Sequence, residues 1–285
     1  MKKYIVSFAV ATLVLSSVTG CIEEYSPEGY NNYVTIDQAA EAPGSYDNFV
    51  NNITTSLSGQ FTYNGSKYTP WDFGISSFFL QRDVMGQDIA LANSGSHFQG
   101  WYTCSIGLGP RYALCQVPWT YYYGWIKNCN TVILIAGEKP ADKQKAGAGI
   151  AYAMRAMFYM DLARMYAPKT YAEDKNSPTV PKITEKAVED MYNNPRMTNE
   201  EIFAFILSDL DKAEEYIAGY KRADKYTPDL SVVYGLKARA YLTMADWPNA
   251  EKYAKLAQQG YTEMTGEEYT SKTLGFNTAN GAWMF

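Results

Sequence analysis

The sequence predicts a mainly α-helical protein, built of helical hairpins, with a long irregular insertion rich in aromatic residues near its N-terminus. Three observations carry this. After Pro118, apolar side chains recur at three- and four-residue spacing in one segment after another, the period of helices buried along one face. Gly and Pro punctuate these segments at their ends. Residues 58–117, by contrast, are dense in Gly, Ser, Asn and aromatic residues and hold no sustained helical period except around Ile75 to Leu80. With 47% hydrophobic residues the chain can bury a real core, and 285 residues allow one large domain or two small ones.

At the N-terminus, Lys2 and Lys3 precede an apolar run from Tyr4 to Leu15, which ends in the small and polar stretch Ser16 to Gly20. That is the make-up of a secretion signal, residues 1–20. The run is shorter than the roughly 20 apolar residues a membrane-spanning helix needs. Cys21 follows at once, and Val18-Thr19-Gly20-Cys21 resembles a bacterial lipobox. The resemblance implies cleavage before Cys21 and lipid, such as palmitate, on that residue. An ordinary cleaved signal with an incidental cysteine is the plainer alternative. Each buried methylene adds about 0.8 kcal/mol of membrane affinity, so several acyl chains hold firmly where one holds marginally. Ile22-Glu23-Glu24 resembles the acidic stretch that marks Bacteroidetes lipoproteins for display on the outer face of the outer membrane. Two glutamates also suit a soluble linker. Residues 21–45, polar and carrying Pro27, Gly29, Pro43 and Gly44, read as a tether to a folded body over 46–285.

The formal net charge is -5, and removing residues 1–20 takes away Lys2 and Lys3 but no acidic residue. Phosphate backbones reward clustered Lys and Arg, and no basic stretch is present, which argues against nucleic acid as a partner. Cysteine use suits an oxidising compartment. Cys104 and Cys115 bracket the turn Gly107-Leu108-Gly109-Pro110, so a small disulfide loop is conceivable, although spacing alone does not decide its geometry. Cys129 lies in an apolar helical pattern and reads as a buried small hydrophobe.

Element by element, a helix is expected from Tyr46 to Leu57. Beyond Pro118, Trp119, Tyr122, Tyr123, Ile126, Cys129, Asn130 and Ile133 mark an amphipathic helix that stops near Gly137 and Pro140. A second runs from Asp142 to Tyr166 with Ile150, Met154, Met157, Phe158, Asp161, Leu162 and Met165 on one broad face, and Ala167-Pro168 ends it. The two form a hairpin. Small residues from Ala146 to Ala156 allow a neighbouring helix to approach closely. A Pro-punctuated loop spans 167–197. Thr198 and Glu201 then form a capping box, with Ile202, Phe205, Ile206, Leu210, Ala213 and Ile217 as the buried stripe. Further helices run from Leu230 to Ala245 and from Pro248 to Gln259, with Pro248 placed where its missing N–H costs nothing.

In the last pair, Ala238, Tyr241, Ala250 and Ala257 fall at the small and aromatic packing positions of a tetratricopeptide repeat, a helix-turn-helix unit of about 34 residues. Alanines at fixed points let two antiparallel helices touch and the next pair stack on them. The pair from 119 to 166 reads as a degenerate copy. The fold class is therefore tetratricopeptide-like helical hairpins.

The order of these segments carries a resemblance. Cys21, then Arg82-Asp83-Val84-Met85-Gly86-Gln87-Asp88, Tyr123-Gly124-Trp125-Ile126-Lys127-Asn128-Cys129-Asn130, and the stretch from Ala153 to Tyr166 together resemble the amino-terminal half of SusD/RagB proteins. Thr179-Val180-Pro181, Pro195-Arg196-Met197-Thr198, Ser208-Asp209-Leu210-Asp211-Lys212-Ala213 and Lys237-Ala238-Arg239-Ala240-Tyr241-Leu242 continue the match. Two departures stand out. Family members usually carry Tyr-Gly where Tyr166 is followed by Ala167-Pro168, and they run on well beyond Phe285, so a missing carboxy-terminal half is expected.

The resemblance implies an outer-membrane nutrient-uptake lipoprotein that binds an oligosaccharide or polysaccharide and sits over a SusC-like TonB-dependent transporter. The residues suit a sugar. Its C–H faces pack on Tyr and Trp rings, and its hydroxyls want Asp, Asn, Gln and Arg. Residues 61–102 supply this mixture in Tyr68, Trp71, Phe73, Arg82, Asp83, Gln87, Asp88, Asn93, Gln99, Trp101 and Tyr102. Trp101 and Tyr102 are the expected stacking platforms, and Arg82, Asp83 and Asp88 the hydroxyl partners. Structural alternatives are an Arg82–Asp83 ion pair and a Trp101 that plugs the seam between loop and helices. Trp119, Tyr122 and Tyr123 read as core packing, and Arg155, inside an apolar helix, as the partner of a carboxylate or a helix end.

An enzyme is not expected. His97 is the sole histidine, which leaves no metal cluster, and there is neither a Gly-x-Ser-x-Gly elbow nor a phosphate loop; no cofactor is implied. Two carboxylates alone can hydrolyse a glycoside, and Asp72 with Asp83 is the pair that idea would use. The alternative from another class is a helical-repeat scaffold that binds protein and has no glycan site of its own.

Overall fold

The computed structural model describes Gln38, Ala40 and residues 42–59, 74–87, 89–91, 98–104, 109–186, 193–273 and 278–285. These all belong to one unit, Ile36–Phe285. The signal, Cys21 and most of the tether lie outside the described residues, as do Tyr68, Trp71, Asp72, Phe73, Asp88, Asn93 and His97.

Helix α1, Ser45–Thr55, continues into a 3-10 turn at Ser56–Ser58. Helix α2, Ile75–Met85, starts at Gly74, whose φ of 69° and whose place against the chain both demand glycine: a Cβ there would lie 2.0 Å from the Leu57 carbonyl oxygen. The helical patch expected around Ile75 to Leu80 is thus an element of its own. A single turn, α3, Gln99–Tyr102, packs against it.

Helix α4 spans Ala113–Ala136 and begins before Pro118, not after it as the sequence suggested. A proline inside a helix removes one i to i−4 hydrogen bond. Here the loss falls in the second turn, and one local and one long-range bond hold the segment: Gln116 Nε2 donates to the Pro110 carbonyl at 2.7 Å, and the Tyr166 hydroxyl to the Cys115 carbonyl at 2.5 Å.

Helix α5, Asp142–Tyr166, has the expected bounds, but its environment is richer than one broad apolar face. Every residue from Gly147 to Ala163 is buried. A helix buried on all sides is a central one. It packs on α4, on α1 and on the helices that follow it in the chain. Its glycines make this possible. A Cβ on Gly147 would lie 2.7 Å from Val50 Cγ2 of α1, and one on Gly149 would lie 2.6 Å from Ile217 Cγ1.

The loop expected over 167–197 contains a small antiparallel pair, β1 at Pro178–Pro181 and β2 at Arg196–Thr198. Thr179 Oγ1 donates to the Met197 carbonyl at 2.7 Å, and Arg196 Nη2 to the Tyr166 carbonyl at the end of α5 at 2.9 Å. A cation there also suits the negative end of the helix dipole. Helix α6, Asn199–Ile217, follows directly, with the Thr198–Glu201 capping box formed as expected.

Helices α7, Leu230–Thr243, and α8, Trp247–Ala257, form the last hairpin, capped by Asp229 and Asp246. Of the expected packing positions Ala250 and Ala257 are buried, while Ala238 is only partly so and Ala240 is the buried alanine of α7; the Tyr241 and Tyr253 rings stack at 5.6 Å. A short helix α9, Gly266–Thr270, follows. The molecule is mainly helical, with successive antiparallel helices stacked in the tetratricopeptide manner around α5.

Candidate functional site

Four of the five expected ligand-contacting residues fall on α2 and α3, two helices in contact. Their environments differ. Tyr102 is 42% exposed and its hydroxyl has no hydrogen-bond partner among the described residues. Asp83 is also exposed. Trp101, expected as an open platform, is 8% exposed, because its ring packs against Phe98 with centroids 5.0 Å apart. The fifth, Asp88, lies outside the described residues.

Arg82 is not paired with its neighbour Asp83. Its Nη1 lies 3.0 Å from Oδ1 of Asp161 on α5, and its guanidinium sits 4.7 Å over the Phe79 ring. Adjacent helical residues point about 100° apart, so Arg82 faces inward while Asp83 faces solvent. Asp161 is fully buried and also accepts from the Tyr122 hydroxyl at 3.0 Å and from Arg239 Nη2 of α7 at 3.4 Å. Burial and the adjacent Asp161 push the Tyr122 phenol far above its ordinary value, so it stays a protonated donor. One carboxylate thus gathers α2, α4, α5 and α7. The sequence reading placed Asp161 on an apolar face without giving it a role; a lone acid among Met157, Phe158 and Leu162 was the available signal.

A second polar cluster lies deeper along α5. Arg155 is buried and bonds Asp209 of α6 twice, Asn130 of α4 at 2.8 Å, and Glu185 at 2.6 Å. The carboxylate partner expected for Arg155 is therefore present. Burial pushes the Asp209 carboxyl up while Arg155 pulls against it. For Glu185 burial is the largest influence and pushes upward, but the hydrogen bonds from Arg155 and the backbone and the charge of Arg155 together outweigh it, and its pKa lies below the usual value. Beside Glu185 opens a cleft of about 570 Å³, lined in part by Leu134, Tyr152, Lys186, Lys212 and Tyr216. Lys212 covers the Tyr152 ring at 4.9 Å, so that ring offers no open face.

Of the aromatic stripe expected in the core, Tyr122 is fully buried and Tyr123 partly so, donating to the Pro181 carbonyl at 2.7 Å. Trp119, at 36% exposed, lies at the edge against Tyr123 and Tyr166. Cys129 is buried, as its pattern suggested, and no disulfide joins Cys104, Cys115 and Cys129. Among the described residues no group of His, Cys, Asp or Glu could hold a metal ion, and no helix is long and apolar enough to cross a membrane.

A SusD-like family model, described as starch-binding associating with outer membrane, matches residues 89–242, more than half of the chain. A SusD-like carbohydrate binding protein from Bacteroides vulgatus is similar at 26% identity and a TM-score of 0.67, over 79% of this chain and 47% of its own. A SusD superfamily protein from Bacteroides fragilis is similar at 24% identity and a TM-score of 0.64, over 84% and 54%. A laminarin binding SusD-like protein shares the fold at 17% identity and a TM-score of 0.56, over 83% and 46%. The chain spans about half the length of these structures. No curated protein matches it. With the family match covering more than half of the chain, and with the same helical frame in the solved structures, the chain belongs to the SusD-like family.

Proposed function

We propose that this protein captures an oligosaccharide at the outer membrane, without chemical turnover, and passes it to a SusC-like TonB-dependent transporter. The family match over residues 89–242, described as starch-binding and outer-membrane associated, is the observation that carries this reading. Lipid on Cys21 would tether the protein, facing the cell surface. The α2–α3 surface supplies the ligand contacts: Tyr102 gives an open ring, and Asp83 and the outer donors of Arg82 bond hydroxyls. Trp101 offers a rim and fixes the turn that presents Tyr102.

A glycan array probed with the full chain tests the reading. Binding that falls about tenfold in Tyr102→Ala, with folding retained, supports it, since one ring–sugar stack contributes on the order of 1–2 kcal/mol. An array without signal removes it. A reducing-end assay on the same glycans separates capture from hydrolysis, because turnover would exclude a pure binding protein.

A second reading has its own observation. Leu242 and Trp247 flank the α7–α8 turn at 55% and 62% exposed, an apolar spot suited to protein contact in a helical-repeat scaffold. Loss of partner binding in Trp247→Ala, with glycan binding unaffected, would favour it.

A further inference from the structure

The surroundings of Asp161 are unbalanced in charge. Arg82 of α2 and Arg239 of α7 bond it, and Arg164 stands three residues further along α5, on the neighbouring turn of the same face. Three of the roughly four acceptor positions of Asp161 are taken: Oδ1 receives Arg82 and Arg239, and Oδ2 receives Tyr122. Three positive charges thus meet one negative, in a chain whose overall charge is -5.

The surplus faces outward. The Arg164 side chain is exposed and makes neither an ion pair nor a hydrogen bond among the described residues. Its pKa is held below the ordinary arginine value, first by desolvation and then by the charge of Arg239. The Arg239 side chain is 41% exposed and that of Arg82 27%, and each gives Asp161 one of its five N–H donors. Next to Arg164 opens a cleft of about 300 Å³ with Lys169, Thr170 and Thr243 on its wall. The acid on that wall, Glu173, is turned back onto the Thr170 amide and hydroxyl at 2.9 and 2.7 Å.

We propose that Arg82, Arg164 and Arg239 form a binding site for an anionic group, so that the glycan captured carries carboxylate or sulfate. This rests on the capture reading above. A guanidinium fork matches the paired oxygens of such groups. Asp161, fully buried, is out of the ligand's reach and holds two of the forks in place, which lowers the cost of ordering them on binding. Arg164, with no partner of its own, is the donor whose removal is felt by the ligand and not by the fold.

The test is affinity electrophoresis of the full chain through polygalacturonate, dextran sulfate, neutral dextran and soluble starch, with Arg164→Gln alongside. Thermal melting in sodium sulfate provides a reading that needs no glycan. Retention by an acidic polymer about tenfold stronger than by either neutral one, reduced about tenfold in Arg164→Gln and weakened by sodium chloride, is the expected result. Polygalacturonate alone assigns a carboxylate, and dextran sulfate alone a sulfate. Starch retained as strongly as the acidic polymers, or no loss in Arg164→Gln, overturns the anion site and leaves glycan capture standing. No retention by any polymer, with sulfate raising the melting temperature of the parent by more than that of Arg164→Gln, overturns capture and keeps the anion site, since the general stabilisation by sulfate is common to both chains. No retention by any polymer, with an equal rise in melting temperature in the two chains, overturns both.

Discussion

The Arg155 guanidinium holds the Asp209 carboxylate through two hydrogen bonds, Nε to Oδ2 at 2.8 Å and Nη2 to Oδ1 at 2.9 Å, with both side chains buried. This pair joins the central helix α5 to α6, while Asn130 ties the same guanidinium to α4. Removing Asp209 takes two bonds from the buried guanidinium and leaves it with Asn130 and Glu185 alone. Asp209→Ala should therefore cost about 3–5 kcal/mol, while Arg155→Met combined with Asp209→Leu should cost less than the single change. Urea unfolding of the three chains checks this; a double variant as unstable as the single one would show that packing dominates.

Glu185 should shape the acid side of the stability profile. Its carboxyl lies below the ordinary 4.5 in the folded state, since hydrogen bonds and the Arg155 charge together outweigh burial. A depressed folded pKa contributes stability above the unfolded value and loses it as pH falls through the folded one. Glu185→Gln should be less stable at pH 7 and show a shallower decline below about pH 4.5, measured as melting temperature against pH.

Glycine at 149 is needed for close approach, not for turning. Gly149→Ala places a methyl group 2.6 Å from Ile217 Cγ1 and should destabilise by about 1–3 kcal/mol. In Gly124→Ala, on α4, the new Cβ meets nothing within 4 Å, so the gain in helix propensity should stabilise by about 0.5–1 kcal/mol. Opposite shifts in the unfolding midpoint are the expected signature.

The cysteines should differ in reactivity. Cys129 is fully buried, and burial raises its thiol pKa, which leaves less thiolate at any pH below that value. Cys104 is exposed. With iodoacetamide at pH 8, peptide mapping should find Cys104 alkylated in the native protein and Cys129 only after denaturant is added.

Much of the scaffold was legible in the chain because its determinants are local. The bounds of α5 and the Thr198–Glu201 capping box each depend on residues a few positions apart, and both formed as read. The strands β1 and β2 escaped notice because three or four residues carry no period. Each exists only by pairing with a segment brought back by the loop. Pro118 misled for a related reason: it is a local breaker, while the bonds that hold the start of α4 include one from Tyr166, distant in sequence.

The site divides along the same line. The sequence by itself determined which residue types were at hand: an aromatic, polar stretch before Pro118 and a lone acid inside an apolar helix. Only the tertiary structure decided that Arg82 turns away from Asp83 toward Asp161, that Arg239 joins it there, and that Tyr102 is open while Trp101 is buried. Arg82 and Arg239 stand 79 and 78 residues from Asp161 in the chain, and no local period encodes a contact over such a separation. It arises because α2, α4 and α7 all pack around α5, and burial of one charge there requires partners that the neighbouring helices alone can supply.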